Sequence, residues 1–162
     1  MRCNRSAAIV AFAMLALLGL ARPVAAKDQV PFRGSLEGDV TRSGAPPIVS
    51  VNIDASGHAS HLGSFELSIP HTVNVVTRIA TGEYLFVAAN GDTLTATFTG
   101  AATPTADPTV LYIEETATIT GGTGRFAGAT GSFVSERLYD TVAGTTTGSF
   151  EGTISSPGAS KH

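Results

Sequence analysis

Two stretches of this chain put a charge where apolar side chains dominate. In "LYIEETATI", Leu111 to Ile119, strand alternation places Leu111, Ile113, Glu115, Ala117 and Ile119 on one face. In "SFVSERLYD", Ser132 to Asp140, the same alternation groups Phe133, Ser135, Arg137 and Tyr139. An unpaired charge on an apolar face is costly, so Glu115 and Arg137 each need a partner. If the segment between them folds back symmetrically about residue 126, Ile119 faces Phe133, Glu115 faces Arg137 and Ile113 faces Tyr139. Such a pair is either a buried structural ion pair or the polar floor of a ligand cavity. Apolar surroundings raise a carboxyl's pKa and suit it to acid–base work, and a neighbouring guanidinium opposes that rise. A one-residue slip would turn Val134, Glu136 and Leu138 inward instead.

Other chemistries have less to stand on. The histidines are His58, His61, His71 and His162, and no Gly-x-Ser-x-Gly nucleophile elbow accompanies them. His58 and His61 are three apart in "GHASHLG", a spacing that separates them on a strand and lets them converge only in a turn, where His71 could join. Surface-loop histidines are the simpler reading, and no metal or cofactor is expected. The one cysteine, Cys3, precedes an apolar run and leaves with it, so the exported chain has no disulfide or thiolate ligand.

"TGGTGRFAGATGSF", Thr120 to Phe133, holds five glycines. A phosphate-binding loop needs a helix behind it to aim backbone N–H groups at the anion. Here the next strand follows almost at once, and the spacing matches neither the P-loop nor the dinucleotide fingerprint. The segment therefore reads as a chain reversal. Gly121, Gly122 and Gly124 allow left-handed backbone, and "TGRFAG" makes a short helical turn that tips Phe126 inward as a plug over one end of the core.

The strands that must carry these residues are legible along the rest of the chain. Period-two alternation recurs, broken by Gly, Pro or Asn, and about nine strands result. Val30, Phe32, Leu36 and Val40 share a face, as do Val49, Val51 and Ile53, then Phe65, Leu67 and Ile69, then Val73, Val75 and Ile79. Asn90-Gly91 signals a type I′ hairpin turn before the alternation of Leu94, Ala96 and Phe98 with threonines. Strands without intervening helices pair antiparallel, in a closed barrel or a sandwich; short connections and the need to remove edges favour the barrel.

"ITGGTGRFAGATGSF" resembles the corresponding segment of the allene oxide cyclase and dirigent barrel superfamily, in particular short exported bacterial members. The likeness is close over Ile119 to Phe133 and weak over the preceding strand and "GSFEGTI". It implies an eight-stranded antiparallel barrel with an interior cavity, trimeric in many plant members, where the cavity steers a cyclisation or a radical coupling of a hydrophobic substrate. No residue of the plant catalytic sets matches, so none is carried over.

The N-terminus supplies an address. Arg2 and Arg5 precede the uncharged run Ser6 to Ala21, and Val24-Ala25-Ala26 suits signal-peptidase cleavage. A retained anchor is the rival, but the run falls short of the roughly 20 residues of a span. The division expected is a signal peptide over 1–26, a barrel over 27–155 and a disordered tail over 156–162. Export, to periplasm or medium, removes three arginines and leaves seven basic against 13 acidic residues. That balance argues against nucleic acid, and no membrane association is expected after cleavage. The leading functional expectation is a non-catalytic exported barrel binding a small apolar or amphipathic molecule, with Glu115, Arg137, Tyr139, Phe126 and Ile113 as candidate ligand contacts. An isomerase or cyclase is the second. The third is a structural protein whose core is filled by Phe32, Phe65, Phe86, Phe98, Phe126, Phe133 and Phe150.

Overall fold

Alternating apolar and polar residues give each strand one face to bury, and only a closed sheet buries all those faces without leaving an edge. The computed structural model describes residues 28–155 and 157. The expected leader and, residue 157 apart, the expected tail lie outside the described residues. Nine strands follow one another: β1 Gln29–Ser43, β2 Ile48–Ala59, β3 Gly63–Ser68, β4 His71–Asn74, β5 Ile79–Ala88, β6 Thr93–Pro104, β7 Val110–Gly122, β8 Gly131–Asp140 and β9 Thr145–Ser155. All pairings are antiparallel, and β1 pairs with both β2 and β9, so one sheet closes on itself as a barrel and the sandwich is excluded.

The barrel has eight staves because β3 and β4 share one position. β3 lies along Asp54–Ala59 of β2, β4 lies along Ile48–Val51, and both also pair with β5. Pro70 separates them; it has no N–H to give to the ladder, so the stave breaks there.

The inward faces follow the alternation, with two corrections. Ile79 is not on the face of Val73 and Val75. Asn74 Oδ1 accepts from the N–H groups of Val76 and Thr77, the chain reverses, and Ile79 emerges outward. The Asn90-Gly91 turn is not type I′ either. Only Gly91 takes positive φ (84°); its N–H donates to Ala88 O, and the Ala88 N–H donates to Asp92 O. That is a three-residue loop with one left-handed glycine, set by where Ala88 leaves the ladder.

One end of the barrel is closed by the glycine segment. Gly124–Phe126 forms a single 3-10 turn between β7 and β8, with Gly124 and Gly128 at φ 56° and 64°. Phe126 is fully buried in the core, and its carbonyl accepts from the Ala129 N–H. Arg125 sews this plug to its neighbours: Nη2 donates to Leu62 O (3.2 Å), Nε lies 3.8 Å from Asp92 Oδ2, and the guanidinium covers the Phe126 ring. Behind the plug, Phe32, Phe65, Phe86, Phe133 and Phe150 interlock with ring centroids 5.0 to 6.3 Å apart.

Candidate functional site: a polar layer beneath an open cavity

Above the phenylalanines the filling changes. Tyr84 on β5 continues their face, stacked on Phe86 at 5.7 Å and edge-on to Phe98 and Phe133. A buried tyrosine ring can be apolar along its length, but its hydroxyl needs a partner. That hydroxyl donates to Glu115 Oε2. Glu115 Oε1 accepts from Arg137 Nη2 at 2.5 Å, and Arg137 Nη1 donates to Thr146 Oγ1 at 3.3 Å. The Thr146 hydroxyl in turn donates to Leu138 O at 3.0 Å. Glu115 and Arg137 are 1% and 3% exposed, so this is a buried ion pair with a tyrosine and a threonine completing it.

The electrostatics follow from burial and from that pairing. Burial, then the Glu115 charge, pushes the Tyr84 hydroxyl far above the usual phenol range, so it stays a donor. Burial is the largest single influence on Arg137 and works against its charge, but the Glu115 charge, Tyr84 and the hydrogen bonds to both together outweigh it, and its pKa is raised. Arg137 Nε and Ser135 Oγ are buried without a well-formed hydrogen bond, although Ser135 lies close enough to Tyr84 to weigh on its hydroxyl.

Two glycines make room for the pair. Gly100 on β6 sits opposite Glu115, and Gly148 on β9 opposite Arg137. A Cβ on either would collide with the Cγ of its neighbour. Both glycines lie on inward positions, where a side chain would otherwise occupy the layer.

The register that brings the pair together differs from the symmetric expectation. Glu115 is opposite Ser135, Ile113 opposite Arg137, Leu111 opposite Tyr139 and Ile119 opposite Gly131. The ladder is centred on residue 125 rather than 126, a slip of two. A slip of two keeps every side chain on its face, so Glu115 and Arg137 meet diagonally. The alternation constrains only parity; the compact turn at Gly124–Phe126 sets the rest.

Over this layer the barrel opens into a cavity of about 190 Å³. Val40, Val51, Ile53, Val73, Ala80 and Ile113 wall it, Glu115 and Arg137 floor it, and Arg42, Arg78 and Tyr139 also line it. Glu115, Arg137, Tyr139 and Ile113 thus share one space. Phe126 does not: it is a core residue of the plug at the opposite end, because the turn that tips it inward lies between the far ends of β7 and β8. Larger hollows on the outer wall, such as that between Glu37, His58, Glu66 and Val87, are wide open to solvent.

His71 is a member of the cavity that its sequence context did not reveal. Its Nδ1–H donates to Ile69 O at 2.9 Å, which leaves the lone pair on Nε2, and burial lowers its pKa. Tyr84, Thr146, Arg42 and Arg78 were also missed. Tyr84 had a readable signal, a phenol on the face of Phe86; Thr146 looked like any other threonine. His58 and His61 stay near the plugged end, where His61 Nε2 meets Pro31 O at 3.1 Å. They do not join His71, and among the described residues no three His, Cys, Asp or Glu side chains gather as a metal set.

No protein-family model matches the chain, and no curated protein matches it in sequence. A solved structure is similar in fold: a pterocarpan synthase dirigent protein, at 13% identity, covers 89% of this chain and 98% of its own with a TM-score of 0.55. At that identity the likeness is one of fold, and the fold of this chain is a dirigent-like β-barrel.

Proposed function

We propose that this protein is an exported, non-catalytic barrel that binds a small apolar or amphipathic molecule in its open end. The observation that carries the reading is the contrast within one interior. Of the phenylalanines that could have filled the whole barrel, all but Phe98 pack toward its plugged end, Phe98 lies beside Tyr84 and His71, and the rest is an apolar-walled space over a hydrogen-bonded polar layer. Small binding sites have this composition, an apolar wall with a few fixed polar groups. A buried ion pair is weak as a source of stability, which fits a layer kept for what it presents to the cavity. The fold neighbour's name, a synthase of the dirigent type, is compatible with a cavity that holds and orients a molecule. Export rests on the N-terminal residues alone, and a homo-oligomer, trimeric as in the plant barrels, is part of the proposal.

Native mass spectrometry of the protein purified gently from its own host tests this. A reproducible added mass that disappears on denaturation supports a bound molecule, and the same spectrum gives the oligomeric state. A bare mass that stays bare after incubation with a panel of one-ring compounds overturns the reading.

One observation favours a second reading, an isomerase or cyclase. His71 presents a neutral ring nitrogen with a free lone pair in a cavity that also holds a tyrosine–glutamate–arginine chain. Turnover of a bound compound, lost in Glu115→Gln and in His71→Gln, would establish it.

A further inference from the structure

We infer that the ligand of this cavity is an organic acid, an apolar body about one ring in size with a carboxylate held at the mouth by Arg42 and Arg78. The inference rests on the cavity-binding reading above and adds the ligand's charge and orientation.

Arg42 ends the inward face that runs through Leu36 and Val40, and Arg78 starts the inward face that continues to Ala80. Both line the cavity at its solvent end. Among the described residues neither forms an ion pair; the two salt bridges are Arg125 with Asp92 and Arg137 with Glu115. The acids of the neighbouring loops are engaged in their own turns. Asp140 Oδ1 accepts from the Val142 and Ala143 N–H groups, and Asp107 Oδ1 accepts from Thr109 N–H and Oγ1–H. The lining therefore holds three arginines against one glutamate, with His71 neutral, an excess of two positive charges in a chain whose net charge is −3.

The backbone at Arg78 is unusual for its residue type. It closes the Asn74–Arg78 turn at φ 60°, a left-handed backbone that glycine or asparagine adopts at less cost.

The floor decides the orientation. Arg137 is already paired with Glu115, and a second carboxylate brought down to it would face the Glu115 charge. The acid group must point outward, where two unpaired guanidiniums offer the forked geometry that suits a carboxylate. The volume decides the size. A dry cavity of about 150 Å³ admits benzene, so about 190 Å³ admits one ring and a short tail and leaves a long chain outside.

The test is calorimetric titration of the mature protein with 3-phenylpropionate and with its methyl ester. Variants Arg42→Gln, Arg78→Gln and the double are compared, with Ala80→Phe as a block on the cavity. The acid should bind at least about tenfold tighter than the ester, each single variant should cost it about fivefold, and the double should abolish the preference. The preference should shrink as salt is raised. Equal binding of acid and ester, both lost in Ala80→Phe, would overturn the charge inference and leave the cavity reading intact. Failure of both compounds to bind, or binding indifferent to Ala80→Phe, would overturn the cavity reading and this inference with it. Arg42 is an exposed strand-end residue, so Arg42→Gln keeps the test sound if Arg78→Gln does not fold.

Discussion

The plugged half and the open half of this barrel are built from the same staves and the same alternation, yet their interiors have opposite compositions. In the plugged half, Phe32, Phe65, Phe86, Phe133 and Phe150 meet edge to face and leave no room. In the open half, the apolar wall is aliphatic, of Val, Ile, Leu and Ala, and leaves a space that His71, Tyr139, Arg42 and Arg78 also line. Between them lies the layer of Tyr84, Glu115, Arg137 and Thr146. A polar layer under a cavity would be unsupported without a packed core beneath it. A packed core running the full length would leave the layer nothing to present. The division shows stability and recognition assigned to different ends of one continuous set of strands.

The largest expected effect separates the halves directly. Phe86→Ala, at a fully buried position among other rings, should cost about 3–5 kcal/mol in urea unfolding. Leu111→Ala, half-buried at the cavity wall, should cost about 1 kcal/mol. Equal losses would mean that the open half is packed like the plugged one. Next is the polar layer. Arg137→Met leaves the Glu115 carboxylate buried without its cation and should cost about 3 kcal/mol or more, whereas Glu115→Leu combined with Arg137→Met should cost less than Arg137→Met alone. A double variant worse than that single one would show that the layer holds the barrel together. Gly148→Val puts a branched side chain against Arg137 and should cost roughly 2 kcal/mol, a value that denaturant titration resolves.

The smallest effect is a pH slope. Burial, the largest influence on His71, lowers its pKa from 6.5 in the folded state; the Ile69 carbonyl and the Glu115 charge act the other way, and Arg137 adds to the lowering. The unfolded chain then binds the proton more readily. The stabilisation is complete above pH 6.5 and is lost as pH falls from there through the folded value. His71→Gln should flatten that part of the stability profile. An unchanged slope would place its origin elsewhere.

Much of this was legible before any coordinates. The threonine-rich alternation specified strands, and the absence of helical periods specified antiparallel pairing, in a barrel or a sandwich. "TGRFAG" specified a turn that drives Phe126 into the core, since its glycines take the left-handed positions on either side of it at least cost. Glu115 and Arg137 stood out because each interrupts an apolar face, and both do point inward. The sequence by itself therefore determined which residues share a strand face, Ile79 apart, because parity is local and a single substitution out of phase is visible.

Tertiary structure alone decided how far each strand slides past its neighbour. A slip of two leaves parity untouched, so Ile113 rather than Glu115 lies opposite Arg137, and no reading of alternation could show it. It also decided the partners. Tyr84 and Glu115 are 31 residues apart and Glu115 and Arg137 22 apart, and only closure brings β5, β7 and β8 around one interior. The cavity is decided in the same way. It is the volume left when eight inward faces meet across a fixed bore, a difference between packing and space that no one strand contains.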